Sequence, residues 1–146
     1  MSAKLIQLTN TGIGAVAVDG FMPLGVTTVV YPSCSTVCGP TYTITSSTSD
    51  TVQVNKSGTY RIIYSASVVA TEAGDVVLGL RINGTTRYTV TATATAAGTV
   101  NVTIPFEVYI PGNCCTSPTN IPAYIQIQNT GVALTSGTSN LIIDKE

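Results

Sequence analysis

The chain has 146 residues, a formal net charge of −1 and only 9% charged residues, with neither His nor Trp. This length fits a single domain with one core, and so few charges argue against a basic surface for nucleic acid. The absence of His excludes Ser-His-Asp and Cys-His mechanisms. No apolar run reaches the roughly 18 residues that a membrane helix needs, and no carboxylate pair suggests a glycosidase. We therefore expect no enzyme, no cofactor, no metal site and no membrane segment.

The first eleven residues open with a short apolar stretch that Gln7, Thr9 and Asn10 interrupt. A signal peptide needs an apolar core of about 7–15 residues, so we expect a protein made in a cytoplasm without one. We assign residues 1–11 to an N-terminal arm or attachment segment, and residues 12–146 to one domain.

Ten β-strands are predicted in chain order, because Val, Ile, Thr and Tyr dominate and no helical period is present. The predicted strands cover residues 12–18, 26–31, 41–46, 51–54, 59–70, 75–83, 87–96, 99–110, 121–129 and 138–145. Gly, Pro and Asn residues separate them. Asn83-Gly84 is the strongest hairpin signal, since a type I′ turn needs positive φ at both central residues. The regular spacing indicates a β-sandwich or barrel.

The alternation within the strands indicates which sheet faces are covered. In residues 87–96, Thr alternates with Ala, Val and Tyr, as in a strand with one solvent face. In residues 59–70 the second side is mixed and includes Ile63, and Ile142 lies on the second side of the last strand. A single sandwich covers only one face of each sheet, so the second cover is expected from another chain. Scattered exposed apolar residues on a Thr-rich surface are the alternative interpretation.

The four cysteines fall in two loops rich in Pro and Gly, with Cys34 and Cys38 in one and Cys114 and Cys115 in the other. An even number confined to two loops suggests that the loops meet, and we favour disulfides between them. A bond between the adjacent Cys114 and Cys115 would be strained. Two cross-loop bonds, or one bond with free thiols, are therefore preferred. Reduced thiols and a four-thiolate zinc site are the alternatives, although this spacing differs from that of zinc knuckles.

Three segments share a recognisable pattern: Ser57-Gly58-x-Tyr60 opening a long strand, Leu80-x-Ile82-Asn-Gly, and a closing apolar strand over residues 134–145. This pattern resembles the jelly roll of the tumour-necrosis-factor-like and complement-type globular-head superfamily. The resemblance is to its bacterial and phage branch, which includes spore-surface filament tips and phage virion proteins. It implies a compact homotrimer packed around a threefold axis.

The resemblance also implies how the strands are shared between two sheets. Strands 59–70, 99–110 and 138–145 would form the inner sheet, with 99–110 at its edge. Strands 75–83 and 87–96 would belong to the outer sheet. Pro105 fits an edge strand, because it cannot donate a ladder hydrogen bond.

Two of the few charges within predicted strands are Arg61 and Glu107. If their strands are neighbours, both side chains point away from the core. They are either solvated surface residues, worth less than about 1 kcal/mol, or an ion pair at the subunit interface, within one chain or between two. We favour the ion pair, with Ile63, Tyr109 and Ile142 as its apolar neighbours near the threefold axis.

The sequence thus predicts an all-β, single-domain jelly-roll β-sandwich that forms a homotrimer. The predicted function is a non-enzymatic structural or adhesive protein on a virion surface, such as a phage head fibre or capsid decoration protein. The expected partners are another virion or surface-layer protein, bound through the N-terminal arm, and a host-surface glycan. A bacterial spore-surface (exosporium) domain is the alternative. A carbohydrate-binding module is a third hypothesis, which the absence of Trp weakens.

Overall fold

The computed structural model describes residues 3–30, 42–44, 50–54, 57–96, 98–111 and 123–145, which contain ten β-strands. The strands are β1 (Ala3–Ile13), β2 (Val26–Val30), β3 (Tyr42–Ile44), β4 (Val52–Val54), β5 (Gly58–Ala70), β6 (Gly74–Ile82), β7 (Thr85–Ala94), β8 (Thr99–Ile110), β9 (Ala123–Asn129) and β10 (Leu134–Lys145). These segments are rich in the β-branched and aromatic residues that fit a pleated sheet. Within the described ranges, no helix is long and apolar enough to cross a membrane.

The strands form two five-stranded antiparallel sheets. Sheet I has the order β2-β1-β10-β5-β8, and sheet II has the order β3-β4-β9-β6-β7. The predicted partition is confirmed, because β5, β8 and β10 share sheet I whereas β6 and β7 belong to sheet II. Strand β8 is an edge strand, which explains how Pro105 fits into it without breaking a ladder.

The core lies between the two sheets. On β5, the even-numbered residues from Tyr60 to Ala70 point toward sheet II, and each is 5% exposed or less. Sheet II meets them with Leu78, Leu80 and Ile127, which are fully buried. Burying one such side chain contributes about 1.5–3 kcal/mol, so this contact between the layers is the main source of stability.

The predicted hairpin at Asn83-Gly84 is confirmed. Both residues have positive φ, 53° at Asn83 and 81° at Gly84, as a type I′ turn requires. The Asn83 side-chain oxygen also accepts a hydrogen bond of 2.8 Å from the Tyr124 backbone N–H. The hairpin is therefore tied to the start of β9.

The N-terminal strand differs from its prediction. No strand spans residues 12–18; instead β1 covers Ala3–Ile13 and pairs with both β10 and β2. Thr9 and Asn10 interrupt the apolar run without ending the strand, because their side chains find polar partners. The Thr9 hydroxyl donates to Asn140 Oδ1 at 3.1 Å, and the Asn10 amide donates to the Pro23 carbonyl at 3.0 Å. Most of the segment expected as an arm is thus a strand of sheet I.

Candidate subunit interface

All five residues predicted at the subunit interface lie on one surface. We call this surface the outward face of sheet I, meaning the side chains of sheet I that point away from sheet II. The five residues are Arg61, Ile63, Glu107, Tyr109 and Ile142; Ile63 and Ile142 are half-buried, and the other three are exposed. Their common placement follows from the alternation of β5, β8 and β10 and from the register between these strands. Their contact with another chain remains a prediction.

An apolar row crosses this face. Ile142 of β10 stands opposite Ile63 of β5, and Ile63 stands opposite Pro105 of β8. Gln7 of β1 continues the row on the other side of Ile142. Directly opposed residues have their Cβ atoms about 4.5–5.5 Å apart, so the three apolar side chains form a continuous strip that points away from the core.

A charged row lies beside the apolar row. Arg61 stands opposite Glu107 on one side and opposite Asp144 on the other. Its Nη2 donates to Asp144 Oδ2 at 2.7 Å, with side chains that are 47% and 11% exposed, respectively. Sequence reasoning singled out Glu107 and missed Asp144. The signal was present, since Asp144 follows Ile142 by two positions and therefore shares its face.

The nearly buried Asp144 has an unequal environment at its two carboxylate oxygens. Oδ2 is paired with Arg61, whereas Oδ1 is buried and has no hydrogen-bond partner among the described residues. A buried carboxylate is stable only where it is paired. The Arg61 contact therefore has a structural role within one chain, whatever else this row contacts.

The next rows of the outward face are polar and uncharged. Gln7 Nε2 donates to Asn140 Oδ1 at 3.0 Å, and the Thr9 hydroxyl shares the same acceptor. Ser65, Thr103 and Asn140 line a shallow groove here. The outward face of sheet I therefore changes along the strands from charged to apolar to polar.

The exposed face of sheet II has a different character. Thr89, Thr91 and Thr93 of β7 were predicted to face solvent, and all three are exposed. Tyr88 lies on the core side of the same strand, yet it is only partly covered because β7 is an edge strand. It packs against Phe106 of β8, with ring centroids 6.0 Å apart. The half-buried isoleucine pair on sheet I thus faces the opposite way from this threonine surface.

The predicted disulfide candidates lie outside the described residues, so their pairing remains a prediction; they are Cys34, Cys38, Cys114 and Cys115.

No protein-family model matches the sequence, and no curated protein matches it. Solved structures match it over nearly its whole length. The PRD1 vertex protein P5 has a TM-score of 0.64 and 18% identity, covering 99% of this chain and 98% of that chain. Eiger TNF from S. frugiperda has a TM-score of 0.67 and 15% identity, with 99% and 94% covered. The globular domain of zebrafish complement 1qA protein has a TM-score of 0.58 and 7% identity, with 97% and 95% covered.

The resemblance found in the sequence is confirmed at the level of the fold: this chain has a jelly-roll fold similar to that of tumour-necrosis-factor-like and C1q-like proteins.

Proposed function

We propose that this protein is a non-enzymatic structural or adhesive component of a phage virion surface, such as a head fibre or capsid decoration protein, and that it acts as a homotrimer. The observation that carries the proposal is the fold shared with the PRD1 vertex protein P5 over 99% of the chain. The phage-like motifs of the sequence support the same assignment. The fold also occurs in TNF and complement proteins, so a test of location is essential.

The outward face of sheet I supports the trimer. An apolar strip made by Ile63, Ile142 and Pro105 would lose its contact with water if a second chain covered it, which favours association. The neighbouring charges at Arg61 and Glu107 would then set the register and the choice of partner more than the affinity. This arrangement of an apolar centre beside polar rows is typical of a protein interface.

The proposed attachment to another particle protein uses the N-terminal segment. Ala3 already pairs with Lys145 at the end of β10, so the contact would form at the end of the sandwich where β1 begins. A host-surface glycan is the second proposed partner.

The location is tested by imaging purified phage particles with gold-labelled antibody raised against this chain. We expect regular labelling of the particle surface. Labelling of bacterial spores, with none on particles, would overturn the virion assignment and favour the exosporium alternative. Light scattering should give a mass three times the 15.1 kDa of one chain. A mass equal to one chain would overturn the trimer.

The charged row is tested separately by Glu107→Lys, which places a second cation opposite Arg61. On dilution, we expect the trimer of the variant to dissociate into single chains at a higher protein concentration than the trimer of the unaltered chain does. Glu72→Lys, in the exposed turn between β5 and β6, makes the same charge change away from the outward face and is the matched control. Equal trimer stability for the two variants would remove Glu107 from the interface.

A further inference from the structure

A cleft of about 430 Å³ opens where the β6–β7 hairpin approaches the end of β8. Ile82 and Ile110 form its buried apolar floor. Thr85 and Arg87 line it from β7, and Tyr109 lines it from β8. Both β7 and β8 are edge strands, so the cleft opens at the side of the sandwich.

Arg87 gives the cleft its charge. Its side chain is exposed and makes no hydrogen bond or ion pair to any residue that the structure describes. Two other arginines differ, since Arg61 pairs with Asp144, and Arg81 donates to Gln128 and to the Gly84 carbonyl. None of the described lining residues is a carboxylate. The guanidinium fork thus has its donors available, and it fits a carboxylate with two parallel hydrogen bonds.

Tyr109 adds a flat apolar surface beside this charge. Its side chain is 65% exposed in the single chain, so its ring can pack against the apolar face of a second ring. Tyr109 is also one of the five predicted interface residues, so the site requires that this ring on the edge strand β8 stays accessible in the trimer. The Thr85 hydroxyl can donate and accept hydrogen bonds. An apolar floor with a few convergent polar groups is the usual composition of a small-molecule site.

We propose that this cleft binds a carboxylate-bearing sugar, with the carboxylate on Arg87 and the apolar face of the pyranose ring on Tyr109. A ligand of this class matches each feature of the cleft: a cation with no partner among the described residues, the exposed ring and the hydroxyl. The proposal rests on the adhesive part of the proposed function and names the class of glycan that is bound. Sialic acid and uronic acid both carry this chemistry, and the test distinguishes them.

The test is calorimetric or NMR titration of the purified full chain with four sugars in matched pairs. The pairs are 3′-sialyllactose with lactose, and methyl glucuronide with methyl glucoside. We expect binding of at least one acidic sugar at concentrations up to about 10 mM and no binding of its neutral counterpart. Equal binding of acidic and neutral sugars, or binding of none, would overturn the proposal.

Variants assign the binding to the cleft. Arg87→Ala should weaken binding by about tenfold or more, because a hydrogen-bonded charge pair is lost. Arg87→Lys keeps the charge without the fork and should fall in between. Tyr109→Ala should weaken binding, whereas Tyr109→Phe keeps the ring and should not. Thr91→Ala, on the exposed face of β7, is the control, and circular dichroism confirms that each variant is folded.

Four further results locate the site and separate this proposal from the virion assignment. Unaltered binding by folded Arg87→Ala would overturn the cleft as the site. If Arg87→Ala dissociates the trimer and the original chain binds no sugar, the cleft is a contact between subunits and the sugar proposal is overturned. If the antibody labels particles but the chain binds no acidic sugar, only the proposed sugar ligand is overturned. Acidic-sugar binding by a chain absent from particles overturns only the virion assignment.

Discussion

Two buried tyrosines make the stability of this protein decrease at alkaline pH. Tyr60 and Tyr64 lie on the core side of β5, and burial raises the pKa of each from 10.0 to about 12. In the unfolded chain these hydroxyls ionise first, so unfolding releases protons. The stability from these groups is complete below the unfolded pKa, and it is lost as pH rises through the interval between the two values.

Tyr64→Phe tests this dependence at one residue. The Tyr64 hydroxyl is buried, and neither it nor the Ser139 hydroxyl has a hydrogen-bond partner within the described ranges. Removing it should leave stability unchanged or raise it by about 1 kcal/mol at neutral pH, and should reduce the loss at alkaline pH. Urea unfolding at neutral pH and near pH 11 measures both effects. Tyr124→Phe, an exposed site, is the control, and equal alkaline losses in the two variants would contradict the prediction.

Asn129 joins two backbone segments, the one at Ala17 and the turn at residues 131–132, through one fully buried side chain. Its amide nitrogen donates to the carbonyls of Val132 at 2.9 Å and Ala17 at 3.4 Å, and its oxygen accepts from the Gly131 N–H at 3.1 Å. Asn129→Ala removes the partners of the Val132 carbonyl and the Gly131 N–H, whereas the Ala17 carbonyl still accepts from the Gly20 N–H. We therefore expect a loss of roughly 2 kcal/mol or more. Chemical denaturation measures it, with the exposed Thr130→Ala as control. A loss no larger than that of Thr130→Ala would show that water replaces the amide.

Where the alternation of a strand's own residues defines it, the sequence predicted both ends of the strand to within about one residue. Residues 99–110 match β8 at both ends, and residues 59–70 match β5 except for Gly58. Strand β1 was not predictable in this way, since its polar residues find partners in β10, which is distant in sequence, and in the segment before β2. The last strand was predicted to begin at residue 138, yet β10 begins at Leu134 and Gly137 lies inside it. A Cβ there would stand 2.7 Å from the Ser67 carbonyl oxygen, so close approach explains this glycine.

The candidate sites required register as well as pattern. Alternation alone placed Arg61, Ile63 and Ile142 on a second face, and this part of the interface was predictable. The partner of Arg61 was not, because Asp144 lies 83 residues away in sequence. The cleft was also missed. Arg87 and Tyr109 belong to different sheets, and only the sandwich brings their strands together.

Gly25 fixes the approach of the chain into β2. Its φ is +90°, and an added Cβ would stand 2.7 Å from the Asn10 Cα of β1. Gly25→Ala combines backbone strain with a backbone clash, so we expect a loss of about 2–3 kcal/mol. Gly12→Ala is the matched control in β1, where an added Cβ would have no neighbour within 4 Å. Thermal unfolding of both variants measures the difference, and similar melting temperatures would mean that this approach is not rigidly held.

The mean hydropathy of +0.36 is high for a chain with so few charges. The buried residues between the sheets account for part of it. The exposed threonines of β7 show that the sequence can make a polar surface with β-forming residues. The outward face of sheet I instead has isoleucines where β7 has threonines, and these isoleucines are the residues that a trimer would cover.

Ile142→Arg tests whether this face meets another chain. Ile142 is half-buried at one end of the apolar strip, between Gln7 and Ile63. An arginine there can extend into solvent in a single chain, so folding should persist. Covered by a second chain it would be an unpaired charge in an apolar contact, costing about 3 kcal/mol or more. Light scattering over a dilution series should therefore show single chains where the original protein is trimeric.

The matched control for this change is Thr91→Arg, which introduces the same side chain on the exposed face of sheet II. It should keep the mass of the original protein at every concentration. Circular dichroism of both variants separates dissociation from unfolding. A folded Ile142→Arg protein that stays trimeric would exclude the apolar strip as the contact. The threefold packing would then have to use another surface, because the charged row and the strip lie on adjacent rows of the same three strands and would be covered together.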